Sequence, residues 1–154
     1  SQKLAACEKE KQEYLDGWQR ARADFVNARR EEESSRIETV KFANRKLILE
    51  LLHLADGFEM AFSNKDAWQE APQNWRFGIE SIHSKLMDIL RKNGVVKIEV
   101  NPGDRFDPSL HVAVGTDRTE NLAQDDTVKK AQSSGYKLED KIIRPAHIIV
   151  WQKY

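Results

Sequence analysis

SQKLAACEKEKQEYLDGWQRARADFVNARREEESSRIETVKFANRKLILELLHLADGFEMAF, residues 1–62, is the stretch on which the fold turns. No proline occurs before Pro72. Only Gly17 and Gly57 interrupt a run of Glu, Lys, Arg, Ala, Leu and Gln, the residues that lose least rotamer freedom in a helix. The stretch predicts one helix, or two nearly continuous ones. At ~1.5 Å per residue such a helix would reach roughly 90 Å, several times the width of a small domain, so it needs a partner.

The apolar spacing says which kind. Leu4, Cys7, Tyr14, Trp18, Ala21, Phe25 and Ala28 follow alternating steps of three and four, with Lys11 in the one polar place; this is the a/d seam of a coiled coil. A second seam runs through Ile37, Val40, Leu47, Leu51, Leu54, Phe58 and Ala61, with Asn44 in its polar place. The seams are out of register, and between them Arg29 to Arg36 offers no apolar residue. A change of supercoil or a splaying of the pair is expected there. Cys7, on the seam, reads as a small buried hydrophobe.

Working outward, Ser63 to Trp75 carries turn and cap chemistry, with a single helical turn around Ala67 to Glu70 and with Trp68 and Trp75 expected to pack the connection against the helices. A second helix is predicted from about Trp75 to Asn93, with Phe77, Ile79, Ile82, Leu86, Ile89 and Leu90 on one side and Gly94 placed for a left-handed cap. Two such helical hairpins would make a dimeric four-helix bundle. The expected dimer contacts are Trp18, Phe25, Ile37, Val40, Leu47, Leu51, Leu54, Ile82, Leu86 and Ile89.

After Gly94 the pattern becomes that of strands. Val95 to Val100 alternates and stops at Asn101-Pro102-Gly103-Asp104; His111 to Gly115 is a second strand, followed by a polar stretch to Thr127. The tail reads as a hairpin, with one arm around Lys129 to Leu138, a turn at Glu139-Asp140-Lys141 and a return arm from Ile142 to Trp151. Pro145 in that arm implies an edge or a bulge. The fold class is therefore α+β: a long coiled-coil-like dimerisation helix (1–62), a connection and second bundle helix (63–94) and a small C-terminal all-β domain (95–154).

Composition narrows the function. With 25 basic and 25 acidic residues, no whole-molecule field attracts nucleic acid or an acidic membrane. The apolar runs Leu47 to Leu52 and Ile148 to Trp151 fall far short of the roughly 20 residues of a membrane span, so a soluble protein is expected. Four histidines without a cysteine beside them give no metal spacing, the glycines form no phosphate loop, and His111 with Asp107 and Ser109 lacks the distant partners of a catalytic triad. No enzyme, cofactor or metal site is expected. Arg20, Arg22, Arg29, Arg30 and Arg36 are interleaved with Asp24 and Glu31 to Glu33, which repel phosphate. Their forked guanidinium groups suit carboxylates on a protein instead.

Three segments carry a resemblance. Phe106-Asp107-Pro108-Ser109-Leu110-His111-Val112-Ala113-Val114, then Gly135-Tyr136-Lys137-Leu138, then Lys141-Ile142-Ile143-Arg144-Pro145-Ala146-His147-Ile148-Ile149-Val150 closely resemble the C-terminal signature of the GrpE family, the nucleotide exchange factors of DnaK-type heat-shock chaperones. Ala23 to Arg30 resembles that family's helix motif ending in Asn-x-Arg-Arg, and Lys41-Phe42-Ala43, Leu47 to Leu54 and Asp56 match its downstream part. The resemblance implies an elongated parallel homodimer whose β domain opens a chaperone's ATPase domain so that ADP leaves, in a bacterial cytoplasm or, as the alternative, an organelle matrix. A structural coiled-coil scaffold and a nucleic-acid-binding dimer are the competing readings.

Carried over by position, the resemblance makes Asn27, Arg29, Arg30 and Lys41 the chaperone-facing residues of the helix, and Phe106, Pro108, His111, Gln132, Lys141 and Val150 those of the β domain. Phe106 and Pro108 could equally serve to shape their loop. Arg144 is expected to pair within the sheet. The sequence departs from the family pattern at Glu31, Glu38 and Ser134, where basic residues are common, and each departure removes charge from the expected docking face.

Overall fold

In the computed structural model, which describes residues 1–154, helix α1 (Gln2–Phe42) runs unbroken through Arg29 to Arg36. Its good helix formers suffice for that; no side chain of α1 is buried. The helical ladder is interrupted later, at Ala43 and Asn44, where Asn44 leaves helical geometry at φ −92° and ψ 5° and its carbonyl accepts the amide of Ile48 at 2.9 Å. The chain divides there into two units, residues 1–43 and 44–154.

The second unit holds α2 (Arg45–Ser63), α3 (Lys65–Glu70), α4 (Gln73–Lys92), the strands β1 (Val95–Lys97), β2 (His111–Thr119), β3 (Val128–Ser133), β4 (Tyr136–Leu138), β5 (Lys141–Arg144) and β6 (Ala146–Lys153), and a 3₁₀ turn at Leu122–Gln124. The α+β class is as expected. Asn64 caps α3 by accepting the Ala67 amide, and Trp68 meets Phe62 edge to face with centroids 4.8 Å apart. Trp75, expected to pack as well, stays exposed. Helix α4 ends at Gly94, φ +85°, as a left-handed cap. The Glu139 amide in the β4–β5 turn donates to the Gly94 carbonyl at 2.8 Å, tying that turn to the helix end.

Helices α2 and α4 each carry two apolar stripes. The inner ones, Ile48, Leu52 and Ala55 on α2 and Leu86 and Leu90 on α4, are buried. The outer ones, Leu47 and Leu54 on α2 and Ile82 and Ile89 on α4, are more than half exposed. No helix is long and apolar enough to cross a membrane.

The strands form two three-stranded sheets, ordered β1-β4-β5 and β2-β6-β3. The expected tail hairpin exists but changes sheet halfway: β4 pairs with β5, and β3 pairs with β6, all antiparallel. Gly135 and Pro145 mark the change, because a Cβ on Gly135 would lie 2.3 Å from the Ala146 nitrogen and 2.7 Å from the Pro145 carbonyl carbon. Only glycine permits that approach. The Val95 to Val100 segment makes the same passage: strand pairing ends at Lys97, Ile98 donates to the Gly135 carbonyl, and Val100 reaches the other core. That core is Val128, Ala146, Ile148 and Val150. Strand β2 runs beyond Gly115 to Thr119, through the stretch read as a polar connection, and pairs parallel with β6 around a bulge between Ala113 and Gly115.

Candidate functional site

On α1, Asn27, Arg29, Arg30 and Lys41 are all exposed. At about 100° per residue, Asn27, Arg30 and Lys41 fall within about 60° of one another on one face, and Glu31 and Glu38 lie on or beside it. Arg29 is not among them. It points round the helix and lays its guanidinium 5.9 Å from the centroid of the Phe25 ring, as Arg22 does at 5.4 Å on Trp18. Those two basic side chains lie against Trp18 and Phe25 of the first apolar seam, both of which stay more than half exposed.

The Phe106 to His111 loop is tightly specified. The Asp107 carboxylate accepts the Ser109 amide at 2.9 Å and the Ser109 hydroxyl at 2.6 Å, while its carbonyl accepts the amides of Leu110 and His111. The Ser109 hydroxyl, then its amide, holds the Asp107 carboxyl below its ordinary range. The Asp107 amide donates to Nδ1 of the buried His111 at 3.1 Å, which leaves the imidazole proton on Nε2. Phe106 packs half-buried against the Val128 core with its ring 6.2 Å from that of His111. Pro108 and Ser109 are left at the surface.

The other predicted β-domain residues separate. Gln132 on β3 and Lys141 at the start of β5 are exposed, whereas Val150 lies in the core beside Val128 and Ile148. Val150 and His111 therefore offer little surface to a partner as folded; they shape what carries Pro108. Of the expected dimer residues, Trp18, Phe25, Ile37, Val40, Leu47, Leu54, Ile82 and Ile89 are exposed and Leu51 is half-buried. Leu86 lies in the chain's own core.

Sequence reasoning placed Arg144 within the sheet; the structure turns it across to α2. Its two terminal nitrogens donate to the Asp56 carboxylate at 2.7 Å each, and Nε and Nη2 donate to the Ser134 carbonyl. The bonds to Asp56 hold the guanidinium's pKa above its ordinary value against the opposing effect of burial. The guanidinium lies 5.1 Å from the ring centroid of Tyr136, whose buried hydroxyl has no bond of good geometry although Ser134 is near. Burial pushes the Tyr136 phenol up to about 12, with the Glu59 charge acting in the same direction. Ser134 also needs correcting: its hydroxyl donates to Glu59 of α2, so it faces this helix, and Lys97 supplies the cation at 2.5 Å from Glu59. No three His, Cys, Asp or Glu side chains converge in a way that could hold a metal ion.

The sequence model of the GrpE family matches residues 1–152. Among curated relatives, the chain is 33% identical over 149 residues to Protein GrpE of Protochlamydia amoebophila, covering 97% of this chain and 70% of that one. It is 33% identical over 149 residues to Protein GrpE of Pediococcus pentosaceus, with 97% and 76% covered. It is 35% identical over 141 residues to Protein GrpE of Methanothermobacter thermautotrophicus, with 92% and 76% covered.

Proposed function

The chain belongs to the GrpE family, the nucleotide-exchange co-chaperones of DnaK-type heat-shock proteins, and on that premise we propose that it speeds ADP release by binding the open form of the chaperone's ATPase domain. The observation that carries this reading is the family match over residues 1–152, which takes in both the Asn27 to Arg30 motif and the Phe106 to Val150 tail. The exposed charges supply a surface for it. Asn27, Arg30 and Lys41 on one face of α1 and Pro108, Gln132 and Lys141 in the β region would meet the chaperone, with Arg29 turned instead onto Phe25 and with Phe106, His111 and Val150 holding the loop and sheet behind Pro108.

No bond is made or broken by such a factor. It acts by differential affinity: whatever factor it gains by binding the open lobes, ADP loses, and ADP weakens its binding by the same factor. ATP then displaces it. The exposed stripes Leu47, Leu54, Ile82 and Ile89, together with the α1 seams, suit a second copy of the chain as their cover, since apolar rows of this extent seldom face water in a monomer. The bacterial relatives suit a cytoplasmic setting.

Stopped-flow release of labelled ADP from a DnaK-type chaperone tests the reading. The expected result is an acceleration that saturates with added protein. Unchanged release at saturating protein would overturn it and leave the scaffold reading.

A further inference from the structure

Two acidic residues about one turn apart on α2, Asp56 and Glu59, both reach the place where the tail hairpin changes sheet. Asp56 takes the fork of Arg144, the last residue of β5, and Glu59 takes Lys97 and the Ser134 hydroxyl, one residue beyond β3. Arg144 simultaneously holds the Ser134 carbonyl at 2.7 Å, so both arms of the hairpin are tied to each other and to the helix at their crossing point. Gly135, Pro145 and Ala146, the tightest backbone approach found at any glycine here, sit immediately beyond. The Asp56 and Arg144 side chains are 31% and 20% exposed, so the pair is sheltered from solvent screening and geometrically fixed by two parallel bonds.

We infer that Asp56, through its fork with Arg144, is a positioning residue for nucleotide exchange: it stiffens the joint between α2 and the β region so that a bound ATPase domain is held to its open form. The inference rests on the function proposed above. Exchange depends on how much better the protein binds the open than the closed lobes. A rigid joint makes the closed form a poor fit, whereas a loose joint lets the β region follow the lobe and bind both forms alike. Loosening the joint therefore costs discrimination more than it costs binding. Contact residues behave the other way, since their removal weakens binding to both forms.

The test compares Asp56→Asn, which keeps the shape and removes the charge, with Arg144→Lys, which keeps the charge and removes the fork. For each, two quantities are read: the maximal acceleration of ADP release at saturating protein, and the dissociation constant for the nucleotide-free chaperone. The expected result is a maximal acceleration lower by roughly tenfold, with the dissociation constant changed less than about twofold. Equal losses in both quantities would make Asp56 an ordinary contact or folding residue and overturn the inference; so would no loss in either. Circular dichroism establishes that each variant is folded, and if Asp56→Asn is not, Arg144→Lys decides alone. Unmutated protein that fails to accelerate release refutes the exchange reading itself, a distinct outcome from unmutated protein that works beside variants that do so equally well.

Discussion

Over Gln2 to Phe42 no side chain of α1 is out of solvent, whereas the more apolar α2 buries Ile48, Leu52 and Ala55 while leaving Leu47 and Leu54 exposed. The difference is one of supply. Helix α1 has one apolar seam at a time; α2 has two stripes, one residue apart in phase, and α4 answers it with Leu86 and Leu90 inward and Ile82 and Ile89 outward. Burial of a Leu or Ile side chain is worth about 1.5–3 kcal/mol, so residues 44–154 have an internal source of stability that α1 lacks. If a second copy covers the α1 seams as proposed, the stability of α1 will vary with protein concentration.

The largest expected effect separates the stripes. Leu47→Glu with Leu54→Glu leaves the chain's own core untouched, and light scattering should show the mass falling from dimer to monomer; an unchanged dimer would remove α2's outer stripe from the contact. Leu52→Ala, on the neighbouring stripe of the same helix, should lower the stability of residues 44–154 by about 2–5 kcal/mol in denaturant melts while the dimer mass persists at protein concentrations where the chain is folded. A loss below about 1 kcal/mol would mean that the inner stripe collapses easily around the deletion.

The smallest effect exploits two tyrosines. Tyr14 on α1 is exposed and Tyr136 is fully buried. The Tyr136 phenol is raised from 10.0 to about 12, so the unfolded chain ionises first; stability is whole below pH 10 and is lost as pH rises from there to about 12. Tyr136→Phe should abolish that alkaline loss and change stability at neutral pH by no more than about 1 kcal/mol, because the hydroxyl forms no good hydrogen bond. An alkaline loss that survives the substitution would place its origin elsewhere.

Local grammar made much of this legible. The heptads announced long helices, Gly94 announced the end of α4, and Glu139-Asp140 announced the hairpin turn, because each is a rule about neighbours in sequence. The inner stripe on α2 was masked by the outer one: Leu47, Leu51 and Leu54 satisfy the heptad, and Ile48, Leu52 and Ala55 satisfy it again one residue later. Sequence spacing cannot say which stripe meets which neighbour. Nor could it join Arg144 to Asp56, 88 residues away, or foresee that β2 would continue to Thr119, since only the ends of that strand, His111 and Thr119, are buried and its continuation through Thr116, Asp117 and Arg118 is polar. The exposed charges of α1 were legible as a run in the sequence, but the turning of Arg29 onto Phe25 depends on rotamers.

The order β2-β6-β3 also fixes when this part of the protein can exist. Its central strand, Ala146–Lys153, leaves the ribosome after both of its neighbours, His111–Thr119 and Val128–Ser133. Until it emerges, two nascent strands wait with unsatisfied backbone edges and with Val128 uncovered, in the state most open to wrong pairing. A protein that serves the folding of others would thus pass, late in its own synthesis, through a moment of needing the same help.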